Sequence, residues 1–125
     1  MNALGRHVLA EVYGCSYDIL NDLKKVERIM VNAALEAGAE VREVAFHMFS
    51  PHGISGVVVI SESHLAIHTW PELGYAAVDI FTCGDRVDPW EACHYIIQKF
   101  RATNYTATET KRGIFEKMAV QPVAG

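Results

Sequence analysis

Cysteine is scarce. There are three (Cys15, Cys83 and Cys93), an odd count with no CxxC pair. That argues against a disulfide framework or a cysteine zinc site and fits a reducing cytoplasm. Basic residues form no block, and 11 Lys and Arg stand against 15 Asp and Glu for a net charge of −4. The electrostatic footprint of a nucleic-acid binder is therefore missing. No apolar run approaches the ~20 residues that span a bilayer. The start, MNALGRHVLAEVYGC, lacks the charged, apolar and small-residue order of a signal peptide. No repeat, linker or low-complexity stretch interrupts the chain. What is present is 125 residues, half of them hydrophobic. The expectation is one soluble cytoplasmic domain, 1–125, with a single core that buries roughly two-thirds of the unfolded surface.

Periodicity gives the order of elements. Arg6–Tyr13 reads as a first strand, ended by Gly14 and Cys15, with Ser16 placed to cap a helix. From Tyr17 to Ala37 apolar residues recur at helical spacing (Ile19, Leu20, Leu23, Val26, Met30, Ala33, Ala34, Ala37). Gly38 suits the position after the helix because it tolerates positive φ. Val41–Phe49 reads as a strand, SPHG (Ser50–Gly53) as a turn, and β-branched Ile54–Ile60 as a buried strand. Ser61–His64 interrupts before a hairpin of Leu65–Trp70 and Tyr75–Cys83, joined by Pro71–Gly74. Asp88, Pro89 and Glu91 mark a second helix start. Tyr105–Thr110 reads as a last strand, and from Arg112 the pattern fades into a loosely ordered end. The order β-α-β-β-β-β-α-β predicts an α+β fold: a mainly antiparallel sheet with two helices packed on one face. The chain has nothing left to cover the other face or edge, so a second copy is expected there.

Reactive side chains crowd into Ile60–Gly84 (ISESHLAIHTWPELGYAAVDIFTCG). Strand alternation puts Leu65, Ile67 and Thr69 on one face and Ala66, His68 and Trp70 on the other. Likewise Ala76, Val78 and Ile80 oppose Tyr75, Asp79 and Cys83. A serine hydrolase built on Ser63 and His68 fits poorly, because there is no GxSxG elbow and Ser63 does not sit at a strand-to-helix turn. A metal site on His64 and His68, joined by Glu72 or Cys83, matches no zinc spacing, so no metal is expected. Taken singly, each histidine, cysteine and aromatic here is more often ordinary core.

The string as a whole is more specific. Ile60–Gly84, with LGRHVLAEVYGC (Leu4–Cys15), SGVVVI (Ser55–Ile60) and VDPW (Val87–Trp90), closely resembles the short prokaryotic S-adenosylmethionine decarboxylases. These are pyruvoyl enzymes that supply the aminopropyl donor for spermidine. The resemblance covers most of the chain and weakens after about Thr103. It implies a proenzyme that cuts itself between Glu62 and Ser63, giving a beta chain, 1–62, and an alpha chain, 63–125. The Ser63 hydroxyl would convert the preceding peptide to an ester, and β-elimination would leave a pyruvoyl group in place of the serine. That carbonyl condenses with the substrate amine as a Schiff base and serves as an electron sink for the carbanion left by carbon dioxide.

The resemblance also assigns roles. His68 removes a proton during processing, and Ser55 supports it. Cys83 returns a proton to the substrate α-carbon, a task that suits a thiol still protonated near neutrality. Phe49 and Trp70 contact the substrate, S-adenosylmethionine, whose sulfonium and adenine both favour aromatic faces. Glu72 offers two acceptor oxygens to the ribose hydroxyls. Glu11 on the first strand lies toward the same pocket without an assigned role. His47, His64, Cys15 and Cys93 are read as ordinary packing. The implied assembly is a homodimer of cleaved protomers, two alpha and two beta chains. An L-arginine or L-ornithine decarboxylase on the same scaffold would keep Ser63, His68 and Cys83, but has no use for Phe49, Trp70 and Glu72 as a nucleoside site. A non-catalytic nucleoside-binding subunit would not need the serine, histidine and cysteine that are all present.

Overall fold

The computed structural model describes residues 3–115. Six strands form one sheet: β1 (Ala3–Tyr13), β2 (Val41–Met48), β3 (Ile54–Ile60), β4 (Ser63–Trp70), β5 (Tyr75–Cys83) and β6 (Asn104–Ile114). Their order across the sheet is β2-β3-β4-β5-β1-β6, and every neighbouring pair is antiparallel. Three helices complete the fold: α1 (Tyr17–Leu20), α2 (Leu23–Glu36) and α3 (Pro89–Lys99). The long helices α2 and α3 pack on one face of the sheet. Val26, Met30 and Ala33 of α2 and Ala92, Cys93 and Ile96 of α3 are buried with Val8, Val58, Leu65, Ile67, Val78 and Ile80 beneath them. This is the expected α+β architecture.

Several boundaries differ from the sequence reading: the first strand begins at Ala3, three residues before the expected Arg6, the second ends at Met48, one residue before Phe49, and three further differences have local causes. The helix expected to run from Tyr17 to Ala37 is two helices, because Asn21 and Asp22 break it. Asp22 leaves the helical conformation and its Oδ1 accepts from the backbone N–H of Lys25 at 3.1 Å, starting a new helix. Asn21 Oδ1 accepts from Gly53 N–H at 3.0 Å and ties the break to the β2–β3 loop. Short polar side chains compete with helical hydrogen bonding in this way. The last strand runs on to Ile114, where it pairs with Ala3; its side chains are mostly exposed, so backbone pairing extends it without a hydrophobic pattern. The interruption before β4 shrinks from Ser61–His64 to two residues, since Ser63 already pairs with Ile60. The expected caps are in place: Ser16 accepts from Ile19 N–H and Asp88 from Trp90 N–H. Part of the chain end expected to be loosely ordered lies outside the described residues.

No described element covers the other face of the sheet. Leu9, Tyr13, Val59 and Trp70 on that face are each about 40% exposed (41, 41, 38 and 39%). By alternation and register, Glu11, Ser55, His68, Tyr75, Asp79, Phe81 and Cys83 share it.

Candidate active site

The turn between β3 and β4 is the first half of the site. Ile60 and Ser63 pair, leaving Ser61 and Glu62 as a two-residue connection. Glu62 has φ 71°. That left-handed conformation suits glycine or asparagine, and for another residue it costs roughly 1–2 kcal/mol. The expected scissile peptide, Glu62–Ser63, therefore follows a strained residue. Ser63 is half-buried at the start of β4, and its Oγ lies 3.4 Å from Cys83 Sγ at the end of β5. Cys83 is a free thiol. Beside the pair is a cavity of about 180 Å³, lined by Glu40, Ser61, Glu62, Cys83 and the Gly84–Val87 segment.

The second half sits at the opposite end of the same strand. Ser55 and His68 face each other across β3 and β4, with Oγ and Nδ1 2.8 Å apart. They border a cavity of about 390 Å³ that is also lined by Phe49, Trp70, Glu72 and His52. Trp70 stands 6.4 Å from the His68 ring and 5.2 Å from Tyr75, centroid to centroid. Glu72 follows Pro71 on a 3-10 turn and meets His52 Nε2 at 3.2 Å. Gly74 closes that turn at φ 64°, with Cys15 O only 2.9 Å from where a Cβ would stand. A side chain there would collide with the Cys15 backbone.

The expected site residues thus form two groups. Ser55, His68, Phe49, Trp70 and Glu72 come together, and so do Glu62, Ser63 and Cys83. The groups do not meet within one chain: at ~3.3 Å per residue, His68 lies about 16 Å and Trp70 about 23 Å along the strand from Ser63. The remaining reactive residues are accounted for by packing. Cys15 and Cys93 are buried in the core, where loss of hydration pushes both thiols up, Cys93 to about 11. His47 lies edge-on to Phe49 at 4.6 Å and His64 edge-on to Phe81 at 5.8 Å.

Several contributors carry no motif in the sequence. His52, which holds Glu72, belongs to a stretch that reads only as a turn. Tyr75 donates its O–H to Glu11, stacks on Tyr13 at 5.4 Å and backs Trp70. Glu11 thus reaches the aromatic end through Tyr75. The Tyr75 hydroxyl is pushed up to about 12, chiefly by that bond to Glu11. Strand alternation could have found Tyr75, since it faces the same side as its register partner Trp70.

Comparison with known proteins bears on both groups. A sequence model of S-adenosylmethionine decarboxylase matches residues 6–113. The S-adenosylmethionine decarboxylase proenzyme of Moorella thermoacetica is 76% identical over 116 residues, which is 93% of this chain and 93% of that one. The proenzyme of Clostridium kluyveri is 72% identical over 118 residues, 94% of each chain. The crystal structure of the adenosylmethionine decarboxylase from Aquifex aeolicus VF5 superposes with a TM-score of 0.87 at 34% identity, covering 97% of this chain and all of that one (100%). With the family matched along nearly its whole length and the fold shared, this chain belongs to the S-adenosylmethionine decarboxylase family.

Proposed function

We propose that this chain is a self-processing S-adenosylmethionine decarboxylase that cuts itself between Glu62 and Ser63 and works as a homodimer whose sites each draw on both copies. One observation carries this reading. A strained serine turn against a free thiol, and an aromatic pocket with a carboxylate, occupy opposite ends of one strand, and Cys83, Ser55, His68 and Trp70 lie on a sheet face that nothing described covers. A two-fold pairing of those faces, run antiparallel, sets the Ser63 end of each copy against the His68 pocket of the other.

The processing chemistry uses residues already in position. Ser63 Oγ adds to the Glu62 carbonyl carbon; an ester C–O bond forms as the amide C–N bond breaks, and the hydroxyl proton ends on the freed amine. Loss of the Ser63 Cα proton then forms the Cα=Cβ double bond as the Ser63 Cβ–Oγ bond breaks, and Glu62 departs as a carboxylate that keeps the oxygen. Hydrolysis of the remaining dehydroalanine gives ammonia and the pyruvoyl group. The Ser55 contact engages His68 Nδ1 and leaves Nε2 as the atom that takes the Cα proton, delivered from the second copy. The residues fit the group: the precursor hydroxyl lies against the thiol of Cys83, which itself lines a cavity. The pyruvoyl group supplies an electron sink when carbon dioxide leaves. Phe49 and Trp70 bind the sulfonium and adenine, worth ~0.5–2 kcal/mol for each cation–aromatic contact, and Glu72 accepts from the ribose hydroxyls. Cys83 returns a proton to the substrate α-carbon. The product is the aminopropyl donor for spermidine.

Denatured intact mass tests the reading. The purified protein should give two masses that divide the chain between Glu62 and Ser63, with a pyruvoyl group on the downstream piece. Ser63→Ala should give one uncut, inactive chain. A Ser63→Ala protein that is still cut there sinks the assignment.

A further inference from the structure

The turn that carries the scissile bond is gripped from outside the catalytic set. Ser61, one residue before Glu62, donates its backbone N–H to the Glu40 carbonyl at 3.0 Å. Its hydroxyl accepts from Arg42 Nε at 2.9 Å and donates to Glu40 Oε1 at 3.1 Å. Arg42 Nη2 lies 3.6 Å from the same Glu40 oxygen. The register of β2 against β3 breaks at this point, because Val41 pairs with Ile60 and Glu43 with Val59, leaving Arg42 as the extra residue. A bulge of this kind re-aims a side chain, and here the side chain is aimed at the turn.

From this we infer that Glu40, Arg42 and Ser61 are positioning residues for self-processing: they hold Glu62 in its left-handed conformation so that its carbonyl stays against the Ser63 hydroxyl. The inference rests on the cleavage reading above and adds the device that makes the first step possible. Ester formation needs the hydroxyl and the carbonyl carbon of adjacent residues in one narrow geometry, and a non-glycine residue at φ 71° relaxes out of that geometry unless its neighbour is fixed. The grip acts through Ser61, which is anchored to β2 on one side and continuous with the scissile turn on the other. Arg42 and Glu40 side chains are 64% and 62% exposed, so replacing either leaves the core untouched.

The test follows precursor made by cell-free synthesis over time, by intact mass, for the parent chain, Arg42→Ala, Ser61→Ala and Ser61→Thr. Samples of the uncut chain are also treated with hydroxylamine, which cuts esters and spares amides. Arg42→Ala and Ser61→Ala should each slow cleavage about tenfold, with the uncut chain resistant to hydroxylamine because ester formation is the impaired step. Ser61→Thr keeps the hydroxyl and should restore most of the rate. A merely structural role would lower the melting temperature without this selectivity. Parental cleavage rates in both alanine variants overturn the inference. So does a hydroxylamine-sensitive uncut chain, which would place the defect at elimination. Failure of the cleavage reading itself is separate and visible: the parent chain stays uncut, and the inference falls with it.

Discussion

The two ends of β4 are built on opposite principles. At the Ser63 end the backbone is strained and the side chains are small: a serine, a thiol and a glutamate at φ 71°. At the Trp70 end the backbone is held by a 3-10 turn and the surface is aromatic, with Trp70, Tyr75 and Tyr13 in a continuous stack. One end is suited to breaking and making bonds, the other to holding a flat, cationic molecule. A single antiparallel strand keeps them apart. In the proposed homodimer, pairing two copies would join unlike ends and yield two identical sites from one surface.

The sharpest way to break that comparison is to damage one end in each of two chains. Cys83→Ala disables the chemical end, and proton transfer of this type is worth ~10²–10⁴-fold in rate. Glu72→Ala disables the binding end; losing hydrogen bonds to a charged group costs about 1.5–3 kcal/mol, or roughly 10–100-fold in KM. Coexpressed with different tags and isolated as a mixed population, the two should recover about a quarter of parental activity, since half the dimers are mixed and each holds one intact site of two. Zero recovery above the separate variants would mean that each site lies within one chain.

A gentler cut separates the roles of the ends by kinetics. Cys83→Ala should stay folded and lower kcat while leaving KM near the parental value. Trp70→Ala should do the reverse, raising KM by roughly 2–30-fold from a lost contact of ~0.5–2 kcal/mol with kcat little changed. Steady-state assays of both variants check this. A Trp70→Ala enzyme that loses kcat and keeps KM would place Trp70 in the chemistry instead.

Much of each end is legible in the sequence, and the gap between them is not. β3 and β5 have the bounds that their β-branched and alternating residues predict, and Ser16 and Asp88 cap helices as their positions dictate. The structure brings together residues that the resemblance names: Ser55 meets His68, and Phe49, Trp70 and Glu72 line one cavity. What misleads is proximity in sequence: Ser63, His68 and Trp70 sit within eight residues and look like a cluster, yet an eight-residue strand is extended. The interruption at Ser61–Glu62 is expected from the sequence, but its tightness is not, because its positive φ falls on glutamate, where turn chemistry predicts glycine or asparagine. The helix break at Asn21–Asp22 is hidden because Leu20 and Leu23 continue the apolar spacing across it. The far end of β6 is hidden because an edge strand takes its order from backbone bonds to β1.

The smallest expected effects separate the ends by pH. Near the chemical end, Glu109 on β6 accepts from the Arg6 guanidinium at 3.0 Å through both oxygens, from Lys111, and from Trp90 Nε1 at 2.7 Å. Those partners, Arg6 first, hold its carboxyl well below the usual carboxylate range. A depressed folded-state value contributes stability that is complete above the unfolded value, ~4.3, and is lost as pH falls further. Near the aromatic end the sign reverses. Tyr75 is raised to about 12 by its bond to Glu11, so its contribution is complete below the unfolded value of ~10 and is lost as pH rises through the folded one. Glu109→Gln should therefore lower the melting temperature by about 3–5 °C at neutral pH, from a loss of about 1 kcal/mol. That deficit should shrink only in acid, below pH ~4. Tyr75→Phe should cost less at neutral pH, with its deficit shrinking only in alkali. Melting curves across pH 3 to 11 decide it: identical pH profiles for the two variants would show that these bonds do not anchor the ends separately, whereas deficits that close at opposite extremes assign each anchor to its own end of the sheet.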